Sequence, residues 1–406
     1  MSHQINLPRI MEIGKNARSK LPLILKSLGA KKPLIITDKM MVSLGYIAQI
    51  QAILKAEQID SDYFDETIPE PTSSSIETGV EHVKNHAYDA IIAIGGGSPI
   101  DSAKAISILS KHGGVIADYK FPRQVNEIGL PIIAIPTTAG TGSECTRFTI
   151  ITNDLTSEKM LCAGLGFLPV AAIIDYELTM SLPARTTADT GIDALTHAME
   201  AYVSKKASPY SDAQAIAAMK LIGPNLQKAY HQPNNESARE KMMLGSTLAG
   251  IAFSNASIAL VHGMSRPIGA FFHVPHGLSN AMLLPSITAF SVQAAPERYA
   301  ECAKAIGCAD YDDSDEVANQ KLIATLIEIN RDLAVPSLAE FGVSKSDFDQ
   351  VVQTMAEQAL ASGSPLNNPV VPTIEQIITL YQQLWQEPKP ALIYENKLTE
   401  KSYTYN

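Results

Sequence analysis

Two unbroken apolar runs, each emptying into a turn of small residues, decide what this chain folds into. Ala90-Ile91-Ile92-Ala93-Ile94 leads into Gly95-Gly96-Gly97, and Pro131-Ile132-Ile133-Ala134-Ile135 leads into Pro136-Thr137-Thr138. A strand with one wet face alternates apolar and polar residues. An unbroken run needs cover on both faces, which parallel strands obtain from crossover helices. Pro33-Leu34-Ile35-Ile36-Thr37 and Ala172-Ile173-Ile174-Asp175 are two more such runs. The Pro33 run is read as the first strand, with Asp38 at its end. Helical periodicity over 47–57 and 76–86 supplies crossovers.

Beyond Leu182-Pro183 the β-branched runs stop. Helical patterns follow one another over 187–203, 210–230, 240–252, 257–271, 296–306, 320–333 and 345–357. The expected division is an α/β domain over 1–182, an all-helical domain over 183–386 and a polar tail over 387–406. At ~100–200 residues per domain, a chain of 406 residues accommodates this.

With 32 Lys+Arg against 42 Asp+Glu, the net charge of −10 argues against nucleic acid as a partner. No apolar run approaches the ~18–20 residues that span a bilayer, so no membrane is expected. The opening MSHQINLPRIMEIG lacks the charged start and apolar core of a signal peptide. Cys145, Cys162, Cys302 and Cys308 form no CxxC pair, which suits a reduced, cytoplasmic protein.

The glycine turn after Ile94 has a chemical reading. Ser98 suits a helix N-cap, Pro99 the first helical position and Asp101 a capping-box acid. Free N–H groups and the positive end of a helix dipole make such a start a place for pyrophosphate. The second turn, Pro136 to Glu144, offers hydroxyls and amides at the adjacent strand end, where open parallel sheets bind ligands. A tight turn with no ligand and an ordinary polar loop are the plain alternatives. Asp38 suits the ribose hydroxyls of NAD and repels the 2′-phosphate of NADP, although a strand-end Asp is also a common cap.

In the helical part, Asp193 and His197 stand at i and i+4, on one helix face. Such a pair arises by chance about once among nine histidines. His262, His273 and His276, however, crowd into one apolar, Gly- and Pro-punctuated stretch. A carboxylate and three imidazoles suit a divalent first-row metal such as Fe²⁺ or Zn²⁺.

At these residues the chain resembles the iron-containing (group III) alcohol dehydrogenase family. The motifs are GGGSPIDSAKAI at 95–106, PTTAGTGSE at 136–144, GIDALTHAME at 191–200 and HVPHGLSNAMLLP at 273–285. The resemblance implies a Rossmann-like dinucleotide-binding domain followed by an all-α metal-binding domain, a dehydroquinate synthase-like architecture with the active site between. It implies Asp193, His197, His262 and His276 as metal ligands, iron being favoured and zinc possible. It implies NAD contacts at Asp38, Gly96, Gly97, Ser98, Thr138, Thr141 and Lys159.

Two positions depart from the family pattern. Members often carry His four residues after the third ligand, where this chain has Arg266. They often have Asn-Pro-Thr beside the cofactor, where this chain has Glu70-Pro71-Thr72. The expected reaction is reversible oxidation of a small primary alcohol, with the metal as Lewis acid and hydride passing to NAD. Since a guanidinium cannot shuttle protons at neutral pH, His273 is the expected relay. Arg266 either binds an acidic group on the substrate or pairs with Glu200 and braces the cleft. Rival readings are a dehydroquinate-synthase-like lyase and a sensor that binds NAD and metal without turnover. A homo-oligomer, a dimer by preference, is expected from an exposed sheet edge.

Overall fold

The computed structural model describes residues 2–156 and 158–385, so the proposed tail over 387–406 lies outside the described residues. A six-stranded parallel sheet runs in the order β1-β8-β5-β4-β2-β3. The strands are β1 (Ile10–Ile13), β2 (Pro33–Ile36), β3 (Asp62–Phe64), β4 (Ala90–Gly95), β5 (Ile132–Pro136) and β8 (Ala171–Ile174). The Pro33 run is thus the second strand, not the first. The true first strand, Ile-Met-Glu-Ile, is short and sits at the sheet edge, where half-burial gives little sequence signal.

The unbroken runs behave as their composition requires. Every residue of β2, β4, β5 and β8 is buried. One apolar cluster covers each face: Leu34, Ile91 and Ala134 point to one, Ile35, Ile92 and Ile133 to the other. β4 and β5 pair in register through Gly95 and Pro136, so their turns leave the same edge of the sheet side by side. Between β5 and β8 the chain inserts an antiparallel hairpin, β6 (Phe148–Thr152) and β7 (Lys159–Ala163), outside the main sheet.

From Ala184 onward the described structure is helical. The expected 210–230 helix is two, Pro209–Ile222 and Leu226–His231, separated at Gly223-Pro224. The helices His276–Ser291 and Ile374–Gln383 were not foreseen; the first carries Pro285 in its interior. Among the described residues no single helix is long and apolar enough to cross a membrane.

Candidate active site

The helix after β4 begins two residues earlier than the motif suggests. It spans Gly97–His112, with Gly96 at the N-cap and no side chain capping it. Ser98 is therefore inside the first turn, not at the cap, and the capping-box role for Asp101 is not filled. Leaving the cap position to glycine keeps the first amides of this helix clear of side chains. The second turn closes tightly over the first: a Cβ on Gly97 would stand 2.8 Å from Thr141 Cγ2.

Asp101 has a different task. Its carboxylate accepts from Ser143 Oγ at 2.6 Å and from the Ile150 amide at 3.0 Å. Beneath it the fully buried Lys104 donates to Ser143 Oγ (2.7 Å), Thr146 Oγ1 (3.0 Å) and the Phe148 carbonyl (2.7 Å). Burial pulls the Lys104 ammonium below its ordinary range, and Asp101 and Glu144 oppose that shift. One helix thus fixes both the second turn and the start of the hairpin.

Across the cleft, Ala184–Val203 is a helix that presents Asp193, His197 and Glu200 at i, i+4 and i+7, on one face. Leu260–Phe272 brings His262, and His276 opens the next helix. Ligand atoms of Asp193, His262 and His276 all lie within 4.8 Å of one another. Asp193 Oδ1 is 3.4 Å from His262 Nε2 and 3.8 Å from His276 Nε2. His197 stacks on His262 with ring centroids 4.3 Å apart, and its Nδ1 lies 3.8 Å from Asp193 Oδ1. That nitrogen is buried without a hydrogen-bond partner, the situation a metal ligand is in before its ion arrives.

The electrostatics suit the same use. Burial pulls His197 down to about 4 and His276 to about 3, leaving neutral rings with lone pairs to offer. Burial pushes the Asp193 carboxyl up, but His197, His262 and His276 together outweigh it and hold it well below its usual range. For His262 burial is overcome by bonds to Asp193 and Glu200, and its pKa rises to about 9. The two walls enclose a cavity of about 220 Å³ lined by Gly97, Ser98, Thr141, Lys159, Asp193, His197, His262, Arg266 and His276, among others.

Residues 8–176 match the family described as iron-containing alcohol dehydrogenase, and residues 187–385 match its C-terminal counterpart, the Fe-containing alcohol dehydrogenase family, C-terminal. The chain belongs to the iron-containing alcohol dehydrogenases. It is 36% identical over 383 residues to alcohol dehydrogenase 4 of Saccharomyces cerevisiae, covering 94% of this chain and 98% of that one. It is 37% identical over 372 residues to the NAD-dependent methanol dehydrogenase of Bacillus methanolicus, covering 91% and 97%. A crystal structure of a 1,3-propanediol oxidoreductase superposes with a TM-score of 0.91 at 35% identity, covering 95% of this chain and all of that one. The fold is that of these enzymes, and the chain is an oxidoreductase of the alcohol dehydrogenase type.

Within this alcohol dehydrogenase the expected site residues divide. Gly97, Ser98, Thr141, Lys159, the four proposed ligands and Arg266 share one cleft. Gly96 and Thr138 lie beside it: a Cβ on Gly96 would be 3.4 Å from Thr138 Cγ2. Asp38 caps the short helix Lys39–Ser43, accepting from the Met41 amide at 2.9 Å, and does not line the cleft. His273 is exposed at the left-handed C-cap of Leu260–Phe272 and is not among the cleft-lining residues either. Lys159 is 2.7 Å from Glu70, a charge pair across the cleft mouth.

Two important residues were missed or misassigned. Glu200 does not bond Arg266; its carboxylate accepts from the Ala259 amide (2.8 Å), the Val261 amide (2.5 Å) and His262 Nδ1 (2.7 Å). It therefore caps the helix carrying His262 and fixes that ring's tautomer, leaving Nε2 for the cleft. Asn280 donates from Nδ2 to Asp193 Oδ1 at 2.7 Å. Its signal was present, one turn after His276 within HGLSNAM, on the same helix face.

Proposed function

We propose that the chain is an NAD-linked, metal-dependent alcohol dehydrogenase or aldehyde reductase acting on small primary alcohols and aldehydes. The observation that carries this reading is the convergence of Asp193, His262 and His276 within 4.8 Å, opposite the uncapped Gly97 helix start. In this reading Asp193, His197, His262 and His276 hold one divalent ion, Fe²⁺ by family and Zn²⁺ by the chemistry of the same donors. When bound, the metal supplies Lewis acidity to the substrate oxygen, and NAD supplies the hydride acceptor.

The protein's own part is positioning. The amides at the start of Gly97–His112, with Ser98 and Thr141, hold the pyrophosphate side of the dinucleotide. Phe253, Ile258 and Leu161 line the cleft with apolar surface that keeps water from the reacting carbon. Glu200 and Asn280 hold His262 and Asp193 in place. Residues 1–182 and 183–386 act as cofactor and metal domains in this account, and the exposed edge at β1 suits pairing of two copies in a dimer.

The test is direct. Protein loaded with Fe²⁺ or Zn²⁺ is incubated with NAD and a panel of primary alcohols, following NADH absorbance. Metal-dependent NADH formation is expected. Binding of NAD and metal without turnover on any alcohol or aldehyde would support the sensor reading instead.

A further inference from the structure

We propose that Arg266 anchors an anionic group on the substrate, so that preferred alcohols and aldehydes carry a carboxylate a few carbons from the reacting carbon. This rests on the dehydrogenase reading above and names its substrate class. The case begins with the charges that line the cleft. Lys159 pairs with Glu70, Asp101 is filled by Ser143 and Ile150, and Asp193 takes Asn280. Arg266 has no hydrogen bond or ion pair to any described residue, and its Nε is buried without a partner. The acid best placed to neutralise it, Glu200, spends both oxygens on two backbone amides and His262.

A lone guanidinium facing a partly apolar cleft needs an oxyanion, and its forked donors match a carboxylate. Burial lowers its pKa to about 10, which still leaves it cationic at neutral pH. Arg266 stands one helical turn after His262, on the same face of Leu260–Phe272. Both residues line the same cavity of about 220 Å³, which limits a ligand bridging them to a short one. A molecule with its oxygen toward the His262 side and a carboxylate on Arg266 is therefore a short-chain one, and four carbons is the length tested.

The experiment compares reduction of an unbranched four-carbon aldehyde with its ω-carboxylate counterpart by the metal-loaded enzyme with NADH. Wild type, Arg266→Met and Arg266→Lys are assayed. The acid-to-neutral ratio of kcat/KM should exceed one in wild type. It should fall by about 10- to 100-fold in Arg266→Met, mainly through KM, and recover in part in Arg266→Lys, which keeps charge but loses the fork. A wild-type ratio below one, or a ratio unmoved by Arg266→Met, overturns the proposal. So does a matching loss of NADH affinity in Arg266→Met, which would make Arg266 a cofactor residue. A second readout needs no turnover: the unreactive monocarboxylate of the same length should raise the melting temperature of wild type and not of Arg266→Met. If neither aldehyde is reduced by wild type, the alcohol panel decides the dehydrogenase reading, and the presence or absence of that thermal shift still decides the role of Arg266.

Discussion

The two walls of the cleft handle buried charge in opposite ways. On the sheet side, Lys104 finds three oxygen acceptors and Asp101 two donors, and the unpartnered buried groups there are the Ser102 and Thr137 hydroxyls. On the helical side, one carboxylate and three imidazoles crowd together, with His197 Nδ1, Asn280 Oδ1 and Arg266 Nε buried and unpartnered. Buried polar atoms cost stability unless something satisfies them. The charged groups of the sheet wall are therefore satisfied within the folded protein, and those of the helical wall are completed by ligands. Perturbing the first should cost stability; perturbing the second should cost binding.

The largest effect expected from this contrast is at His262. His262→Ala should fold, lose most of its metal and lose about 10³-fold in turnover, since Lewis-acid stabilisation is worth several kcal/mol. Metal analysis and circular dichroism check this; full metal content in the variant would remove His262 from the ligand set. Lys104→Met should do the reverse. It strips three oxygens of their shared donor and Asp101 of a charge partner 3.6 Å away, costing about 3 kcal/mol of stability by chemical denaturation, while metal content per folded molecule stays at the wild-type level. A Lys104→Met protein that denatures like wild type would erase the distinction between the walls.

A smaller effect belongs to Glu200, which acts through His262. Glu200→Gln should weaken metal binding by about 10- to 100-fold. It should also move the pH at which binding levels off. The His262 pKa is raised to about 9, so a metal must displace its proton at neutral pH, and affinity should climb about tenfold per pH unit until about 9. Removing one of the two carboxylates that raise it should bring that plateau to lower pH; a merely structural Glu200 would lower affinity without moving it. Metal-free stability should follow the opposite course over this range. Stability from His262, raised in the folded state, is present below 6.5 and lost as pH rises towards about 9. His197, depressed to about 4, penalises folding below 6.5, so stability should rise between about 4 and 6.5.

The contrast also marks what was legible in the sequence. Unbroken Ile/Ala runs need burial on both faces, so four of the six sheet strands and both turns could be read directly. β1 and β3 could not, because β1 is only partly buried and β3 is three residues long with two exposed. The helix after His276 was hidden by Pro285, which the fold tolerates inside a buried element. Histidines clustered in sequence announced the metal wall because ligand chemistry is local to residue type. What holds those ligands was harder to see. The bonds of Glu200 to Ala259 and Val261 bridge about sixty positions, and no spacing rule connects an acid to a helix start that far away. The same gap misdirected Glu200 towards Arg266, a match of charge that ignored the competing amides.

The smallest expected effect is at Asp38, and it tests whether the sheet wall also carries selectivity. The carboxylate stands just past the end of β2, on the edge where the β4 and β5 turns emerge, and one oxygen is spent on the Met41 amide. A cap of this kind leaves the second oxygen able to meet ribose hydroxyls and keeps negative charge where a 2′-phosphate would sit. Asp38 is only partly buried, so water and salt screen that repulsion. We expect Asp38→Gly to raise the NADP-to-NAD ratio of kcat/KM by about tenfold, equivalent to ~1.4 kcal/mol. Glycine is tolerated at N-caps, so the folding cost should be only a few tenths of a kcal/mol. A wild-type enzyme that prefers NADP, or an Asp38→Gly ratio equal to wild type, would reduce Asp38 to a helix cap and leave cofactor choice to the turns at Gly97 and Thr141.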